Sequence, residues 1–253
     1  MVKVIDFGLR DYGEVLELQT SLFEQLIQNK KEKKEGKEYI LVGEHPPVIT
    51  LGRRAKEENL LFSEDYLKEK GVSLYHIGRG GDITYHCPGQ LIVYPILDLE
   101  KHNLGVKDYV NLLEESVILL LYKYGITGER IEGATGVWLG KGTPNERKIS
   151  AIGIKCSRFC TMHGLSLNVN ADLSGFSFIN PCGFKDKGVT GMSLENLEKS
   201  GCPEVRKSGR TPTRRQDDET TRPDFERIKQ EFLDIFLGLI FPFEEVLDLP
   251  EKL

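Results

Sequence analysis

The first candidate for chemistry in the sequence is the thiol of Cys182. It lies between Pro181 and Gly183 on a predicted turn, within the segment of residues 179–184. A thiol in a turn is accessible to substrate, whereas a thiol inside an apolar strand is packed and inert. Cys182 is therefore a candidate nucleophile, with a structural thiol as the alternative.

A lysine begins a second segment, residues 148–154, which is otherwise small or apolar. Strand alternation predicts that Lys148 points to the same face as Ser150, Ile152 and Ile154. Burial disfavours the ammonium form of a lysine, so Lys148 is a candidate base. An ordinary lysine that extends to solvent is the alternative, and this segment alone favours it.

A third segment, residues 79–90, places an arginine, a threonine and a histidine among four glycines or prolines between two predicted strands. Glycines let backbone N–H groups approach a ligand, while Arg79 and His86 supply donors for a carbonyl, phosphate or carboxylate. The pattern favours a ligand-binding loop, with a long hairpin as the alternative. A fourth polar segment follows at residues 162–170.

Metal and nucleotide sites are not predicted. Cys156, Cys160 and His163 lack the paired spacing of a structural zinc site, even with Cys182 added as a fourth ligand. Neither a Walker loop nor a Gly-x-Ser-x-Gly elbow occurs in the sequence.

Composition narrows the class of protein further. The net charge of −5 argues against a nucleic-acid binder. The longest apolar run, residues 117–121, is far shorter than the roughly 20 residues of a membrane span. The first residues lack the pattern of a secretory signal, and five cysteines, an odd number, suit a reducing compartment. We therefore expect a cytoplasmic protein that contacts neither membrane nor nucleic acid.

Helices and short strands alternate irregularly, which predicts an α+β fold rather than a doubly wound one. Helical periodicity covers residues 12–28, 107–124 and 224–239, and Gly125 is predicted to cap the second helix. Strands are predicted at residues 39–42, 48–51, 73–77, 91–97, 135–139, 148–155 and 165–169. We expect one catalytic domain over residues 1–253, with a flexible insertion at residues 200–223, where apolar residues are almost lacking.

Taken in order, the polar segments resemble the lipoyl(octanoyl) transferases of lipoate biosynthesis. The motifs that carry the resemblance are His45–Arg53, Arg79–Gln90, Lys148–Gly153, His163–Asn168 and Asn180–Gly183. The family usually has glycine where this chain has Cys87. Either the loop does not need a positive φ at that position, or its backbone differs slightly.

The resemblance implies the fold of biotin and lipoate protein ligase catalytic domains, a mixed, largely antiparallel sheet flanked by helices. It implies Cys182 as the nucleophile that carries the acyl group as a thioester, and Lys148 as the acid/base partner. The substrate-binding residues it implies are Arg79, Gly80, Gly81, Asp82, Ile83, Thr84, Tyr85, His86, Ala151, Ile152, Gly153, Gly164, Leu165 and Ser166, supported by His163 and Asn168.

The implied reaction moves octanoyl from octanoyl-acyl carrier protein to a lysine of a lipoyl domain, without a cofactor. The acceptors would be the lipoyl domains of 2-oxoacid dehydrogenases and the glycine cleavage H protein. Two alternatives stay open: an ATP-dependent lipoate or biotin protein ligase, which needs no cysteine, and a non-catalytic module that binds acyl carrier or lipoyl domains.

Overall fold

A computed structural model describes residues 2–180, 188–199, 223–241 and 251–252 of the chain. The strands are β1 (Val2–Leu9), β2 (Glu38–Glu44), β3 (Val48–Leu51), β4 (Ser73–His76), β5 (Ile83–His86), β6 (Gln90–Ile96), β7 (Glu129–Ile131), β8 (Ala134–Leu139), β9 (Arg147–Ser157), β10 (Cys160–Asn168), β11 (Gly188–Val189) and β12 (Glu251–Lys252). The α-helices are α1 (Tyr12–Lys31), α2 (Glu64–Glu69), α3 (Val106–Lys123), α4 (Met192–Lys199) and α5 (Phe225–Ile240). Two 3₁₀ turns lie at Glu57–Asn59 and Leu173–Phe178.

The main sheet has the order β12-β1-β2-β6-β10-β9-β8-β7, and β11 pairs with β9. The pairs β1–β2, β1–β12 and β9–β11 are parallel, whereas the other neighbours are antiparallel. A second sheet has the order β4-β3-β5. The prediction of a mixed, largely antiparallel sheet in an α+β fold is confirmed.

Helices cover both faces of the main sheet. On one face, Leu91 and Val93 of β6 pack in a core with α3 and α5. On the other face, Ile92 and Tyr94 of the same strand pack with α1. Because β6 is buried on both faces, it is a nearly continuous apolar run rather than an alternating one. The second sheet has its own small core, which includes Ile179.

Local signals explain where the long helices begin and end. Asp11 caps α1 by accepting a hydrogen bond from the N–H of Gly13 at 2.8 Å. The end of α3 is a Schellman motif, because the N–H of Ile126 donates to Leu121 O and that of Gly125 donates to Tyr122 O. Gly125 has φ of 68°, which confirms its predicted capping role.

Strand β9 departs from the predicted alternation at Lys148. Its ladder with β8 shifts register there, since Val137 pairs with Ser150 while Trp138 pairs with Lys148. Ile149 is the extra residue of this bulge. Lys148 consequently lies on the face of Trp138, whereas Ile152 packs against the core under α3 and α5. The prediction that Lys148 and Ile152 share a face is wrong.

Candidate active site

A cavity of about 410 Å³ lies where the glycine-rich segment, residues 79–90, folds over strands β9 and β10. Residues of three predicted motifs line it: 79–84 and His86, Lys148 with 151–153, and 163–166 with Asn168. Tyr85 does not line the cavity. Because β5 alternates, Tyr85 points instead into the small core, where its ring contacts Phe176.

The cavity forms beside an edge of β9 that β8 leaves uncovered. The ladder with β8 covers residues 147–150 of β9, and beyond it the N–H of Gly80 donates to Ile154 O at 2.7 Å. Gly153 must be glycine here, because a Cβ atom would lie 2.8 Å from Gly80 O and 3.0 Å from Arg79 Cδ. The cavity also reaches Val110 of α3, so an apolar wall lies next to the uncovered edge.

Arg79 fastens the glycine-rich segment to the second sheet. Its guanidinium is buried and donates to Thr50 O at 2.7 Å, to Thr50 Oγ1 at 2.9 Å and to Gly80 O at 3.0 Å. A fixed positive charge thus lies at the cavity wall. Arg79 therefore holds the loop in shape. The sequence predicted its guanidinium donors to bind substrate, and these three hydrogen bonds direct them to protein oxygens instead.

Two neutral histidines lie side by side beneath the loop. Burial lowers the pKa of His45 to about 4 and that of His86 to about 3. The Nδ1 of His86 donates to Gln90 Oε1 at 3.0 Å, because an amide oxygen can only accept, and Nε2 is left as an acceptor. Likewise, Nδ1 of His45 donates to Arg10 O at 2.8 Å, and Nε2 accepts from the hydroxyl of Tyr94 at 3.0 Å.

His163 is held in an uncommon backbone conformation at the cavity. Its φ is 58°, in the left-handed region that a non-glycine residue seldom occupies within a strand. Its N–H donates to Gln19 Oε1 at 3.0 Å, and its Nδ1 has no protein partner among the described residues. Burial, followed by the charges of Arg79 and Lys155, lowers the pKa of His163 to about 3.

Lys148 lies at the cavity wall on the surface of the β7–β8 hairpin. Its Nζ donates to Thr135 O at 3.2 Å and lies 4.5 Å from the centre of the Trp138 ring. The indole N–H of Trp138 donates in turn to Ala134 O at 2.8 Å. The amine is therefore oriented by β8, through a contact that is open to solvent.

A chain of buried polar groups connects His86 to the start of β9. Nε2 of Gln90 donates to Asn168 Oδ1 at 2.9 Å, and Asn168 Nδ2 donates to Thr190 O at 2.7 Å. The Thr190 hydroxyl donates to Glu195 Oε1, which also accepts from Arg147 Nε at 2.7 Å. The N–H of Thr190 donates to Lys148 O at 2.9 Å, so this series of hydrogen bonds fixes β11 against β9.

The predicted nucleophile, Cys182, lies outside the described residues, as do residues 200–222 of the predicted insertion. The described residues on either side of Cys182 are well anchored. Asn180 N–H donates to Asn59 O at 2.8 Å, while Gly188 pairs with Arg147 and Val189 with Lys148. The strand that follows Cys182 by six residues thus runs directly beside Lys148.

The three described cysteines are not activated. Burial raises the pKa of Cys87 to about 12 and that of Cys160 to about 11, and it also raises the pKa of Cys156. Cys87 has no positive φ, so the loop does not require glycine at that position. In the described part of the chain, no three His, Cys, Asp or Glu side chains are grouped as metal ligands.

Sequence reasoning missed several residues of the site. Tyr12 and Tyr94 line the cavity, and burial raises the pKa of both hydroxyls. Both belong to elements whose apolar patterns predict core, so no local signal marks them.

Among the described residues, no helix is both long enough and apolar enough to cross a membrane.

The chain has the fold of solved lipoate protein ligases. A bi-partite lipoate protein ligase from Thermoplasma acidophilum has the same fold, with a TM-score of 0.62 at 14% identity over 100% of this chain and 88% of that one. Lipoate-protein ligase A bound with ATP matches with a TM-score of 0.64 at 13% identity, over 99% and 88% of the two chains.

Sequence comparison identifies the family. The chain belongs to the lipoyl protein ligase A/B catalytic domain family, which residues 11–208 match. It is 54% identical to the octanoyltransferase of Parabacteroides distasonis over 191 residues, which cover 75% of this chain and 86% of the relative. It is 53% identical to the octanoyltransferase of Bacteroides thetaiotaomicron over 192 residues, or 76% and 85% of the two chains. The predicted resemblance is confirmed.

Proposed function

We propose that the protein is an acyltransferase that moves the octanoyl group from octanoyl-acyl carrier protein to a lysine of a lipoyl domain. Relatives with half or more of their aligned residues identical are octanoyltransferases. The observation that carries the proposal is the pairing of Val189 with Lys148, which ties the strand after Cys182 to the lysine at the cavity wall.

The proposed reaction has two balanced steps. The Cys182 thiolate attacks the octanoyl thioester, the bond to the carrier sulfur breaks, and the carrier thiol leaves with a proton supplied through Lys148. The amine of the lipoyl lysine then attacks the acyl enzyme, forming an amide, and the proton it loses returns to the enzyme as the Cys182 thiol is released. Both steps balance without a nucleotide, and ping-pong kinetics follow.

An apolar slot for the octanoyl chain is proposed between the uncovered edge of β9 and α3. Ile152 and Leu165 form adjacent positions in the β9–β10 ladder, and both line the cavity together with Val110. Each methylene buried there contributes about 0.8 kcal/mol. Transfer is therefore expected to fall severalfold for each carbon removed from the donor, and equal rates with acetyl and octanoyl donors would contradict the slot.

The test is intact-mass spectrometry after incubation with octanoyl-acyl carrier protein. We expect one octanoyl adduct, located on Cys182 by peptide mapping, and its transfer to an added lipoyl domain. Cys182→Ser should abolish both and retain donor binding. Cys87→Ser is the matched control, since Cys87 is buried and donates to Asp172 O, and it should retain the wild-type rate. Full transfer by Cys182→Ser would overturn the mechanism.

An ATP-dependent ligase is the second candidate, because lipoate-protein ligase A bound with ATP has the same fold. A ligase would need free octanoate and ATP, and would work without Cys182. Product from octanoate and ATP, together with none from the carrier thioester, would favour the ligase.

For the transferase we propose two kinds of acceptor, the lipoyl domains of 2-oxoacid dehydrogenases and the glycine cleavage H protein. We propose that it acts in the cytoplasm, where a catalytic thiol stays reduced.

A further inference from the structure

Glu114 of α3 is a buried carboxylate outside every motif of the sequence, with 6% of its surface exposed. Its Oε1 accepts from the N–H of Gly136 at 2.9 Å, and its Oε2 accepts from Arg130 Nε at 3.0 Å. The Gly136 N–H belongs to the peptide group that joins Thr135 to Gly136. The carbonyl of that same peptide group accepts from Lys148 Nζ at 3.2 Å. A single peptide group therefore lies between Glu114 and Lys148.

Because the peptide group is planar, Glu114 controls the orientation of the Thr135 carbonyl. Since the N–H and the C=O are held in one plane, fixing the N–H of Gly136 on the carboxylate also fixes the direction of the Thr135 carbonyl. A hydrogen bond to an ionised acceptor is stronger than a neutral one, and hydrogen bonds in series polarise one another. The carboxylate thus makes the Thr135 oxygen a better acceptor for the lysine.

The backbone of the hairpin is adapted to this contact. Gly136 has φ of +119°, and a Cβ atom there would lie 2.5 Å from Ser150 O on β9. The peptide group consequently sits closer to β9 than any other residue would allow. The Trp138 ring, 4.5 Å from Lys148 Nζ, forms the second support of the amine on the same strand.

We propose that Glu114 is a positioning residue for Lys148, acting through the Thr135–Gly136 peptide group. Its task is to hold the amine at the cavity wall above Trp138, and Glu114 itself touches no substrate. The expected effect on kcat rests on the proposed octanoyl transfer. The expected effect on the position of the Lys148 amine does not, because it concerns only Glu114, the peptide group and Lys148.

The kinetic test compares Glu114→Gln with Glu38→Gln. Glu38 is a matched control, because it is also a buried carboxylate that accepts from a backbone N–H, that of Asp98 at 2.8 Å, far along the sheet on β2. Glu114→Gln removes the negative charge that Gly136 N–H and Arg130 Nε share. The weaker hold on the Gly136 peptide group predicts a fall of about tenfold in kcat, with KM within about twofold of wild type. Glu38→Gln should keep the wild-type kcat.

A spectroscopic test reports the lysine position directly. Trp138 is the only tryptophan of the chain, so its emission reports the ammonium group above its ring. The emission of Glu114→Gln should shift towards that of Lys148→Met, whereas Glu38→Gln should match wild type. Glu114→Asp, which keeps the charge but withdraws it from Gly136, should shift in the same direction.

Several results would overturn the proposal: wild-type emission in both Glu114 variants, an unchanged kcat, or a rise in KM alone. Failure of both Glu114 variants to fold would also overturn it, because the contact would then be structural. If the wild-type enzyme transfers no octanoyl group, the proposed function fails. The emission comparison still decides whether Glu114 positions Lys148.

Discussion

At the scale of single residues, the cavity depends on places where two backbones approach too closely for a side chain. A Cβ atom on Gly164 of β10 would lie 2.1 Å from Val93 O on β6, well inside contact distance. The clash is with backbone of a central strand, so it cannot be relieved by rotating a side chain. Gly164 therefore keeps β10, with His163 beside it, tightly against β6.

Gly164→Ala should lower the free energy of unfolding by about 3 kcal/mol, because the strands must separate to admit the methyl group. Gly238→Ala is the matched control, since a Cβ atom at this exposed position on α5 meets nothing within 4 Å. It should stabilise the protein by about 0.5–1 kcal/mol by reducing the freedom of the unfolded chain. Urea unfolding of both variants measures the two changes, and equal effects would contradict the argument.

At the scale of elements, hydrophobic periodicity predicts a helix or strand correctly where the apolar pattern of that element is uninterrupted. The predicted helix at residues 12–28 runs from Tyr12 to Lys31, and the predicted strand at residues 48–51 is β3. Strand β1 was missed, because Asp6 and Gly8 interrupt its apolar pattern. Asp6 is tolerated in the sheet because Lys229 of α5 donates to its Oδ2 at 2.6 Å, a partner 223 residues away.

In the candidate site, too, the features that depend on partners distant in the sequence could not be predicted. Shared motifs brought residues 79–84, Lys148 and 163–166 to one cavity, as the resemblance implied. The bulge at Ile149 could not be predicted, because it depends on how β9 pairs with β8. Glu114 gave no signal for a related reason, since its partner is a backbone group of a hairpin that follows later in the chain.

The Lys229–Asp6 contact leads to a prediction about how α5 is held on the sheet. Both side chains are buried, with 10% and 8% of their surfaces exposed. Lys229→Met leaves a buried carboxylate without its ammonium partner and should cost about 3–5 kcal/mol of unfolding free energy. Adding Asp6→Asn should recover part of this loss, since the amide oxygen can still accept from Gly8 N–H. A loss below about 1 kcal/mol for Lys229→Met would show that the pair is not needed.

At the scale of the whole molecule, three neutral histidines from different parts of the chain meet in one interior. His45 follows β2, His86 ends β5 and His163 lies within β10, and Tyr94 contacts both His45 and His163. Burial is the first cause of the lowered pKa in each, to about 4, 3 and 3 respectively. At neutral pH the rings of His45 and His86 act as hydrogen-bonding groups, and the positive charges near the cluster include Arg79 and, beside His163, Lys155.

The same histidines predict how stability depends on pH. In the unfolded chain they bind protons below pH of about 6.5, whereas the folded protein excludes those protons down to the lowered pKa values of about 3 to 4. Between these limits the unfolded state binds more protons, so the free energy of unfolding falls as the pH falls. One histidine of this kind contributes a loss of about 2 kcal/mol at pH of about 5.

Thermal unfolding between about pH 7.5 and 5 should therefore show a Tm that falls steadily with acidification. His45→Asn removes one member of the cluster while its amide can still donate to Arg10 O, so Tm at neutral pH should drop but its decline with pH should become shallower. His76→Asn removes an exposed histidine outside the cluster and should keep the wild-type slope. If His45→Asn has the wild-type slope, its ring is not among the groups that exclude protons in the folded protein, and the stability loss in acid has another origin.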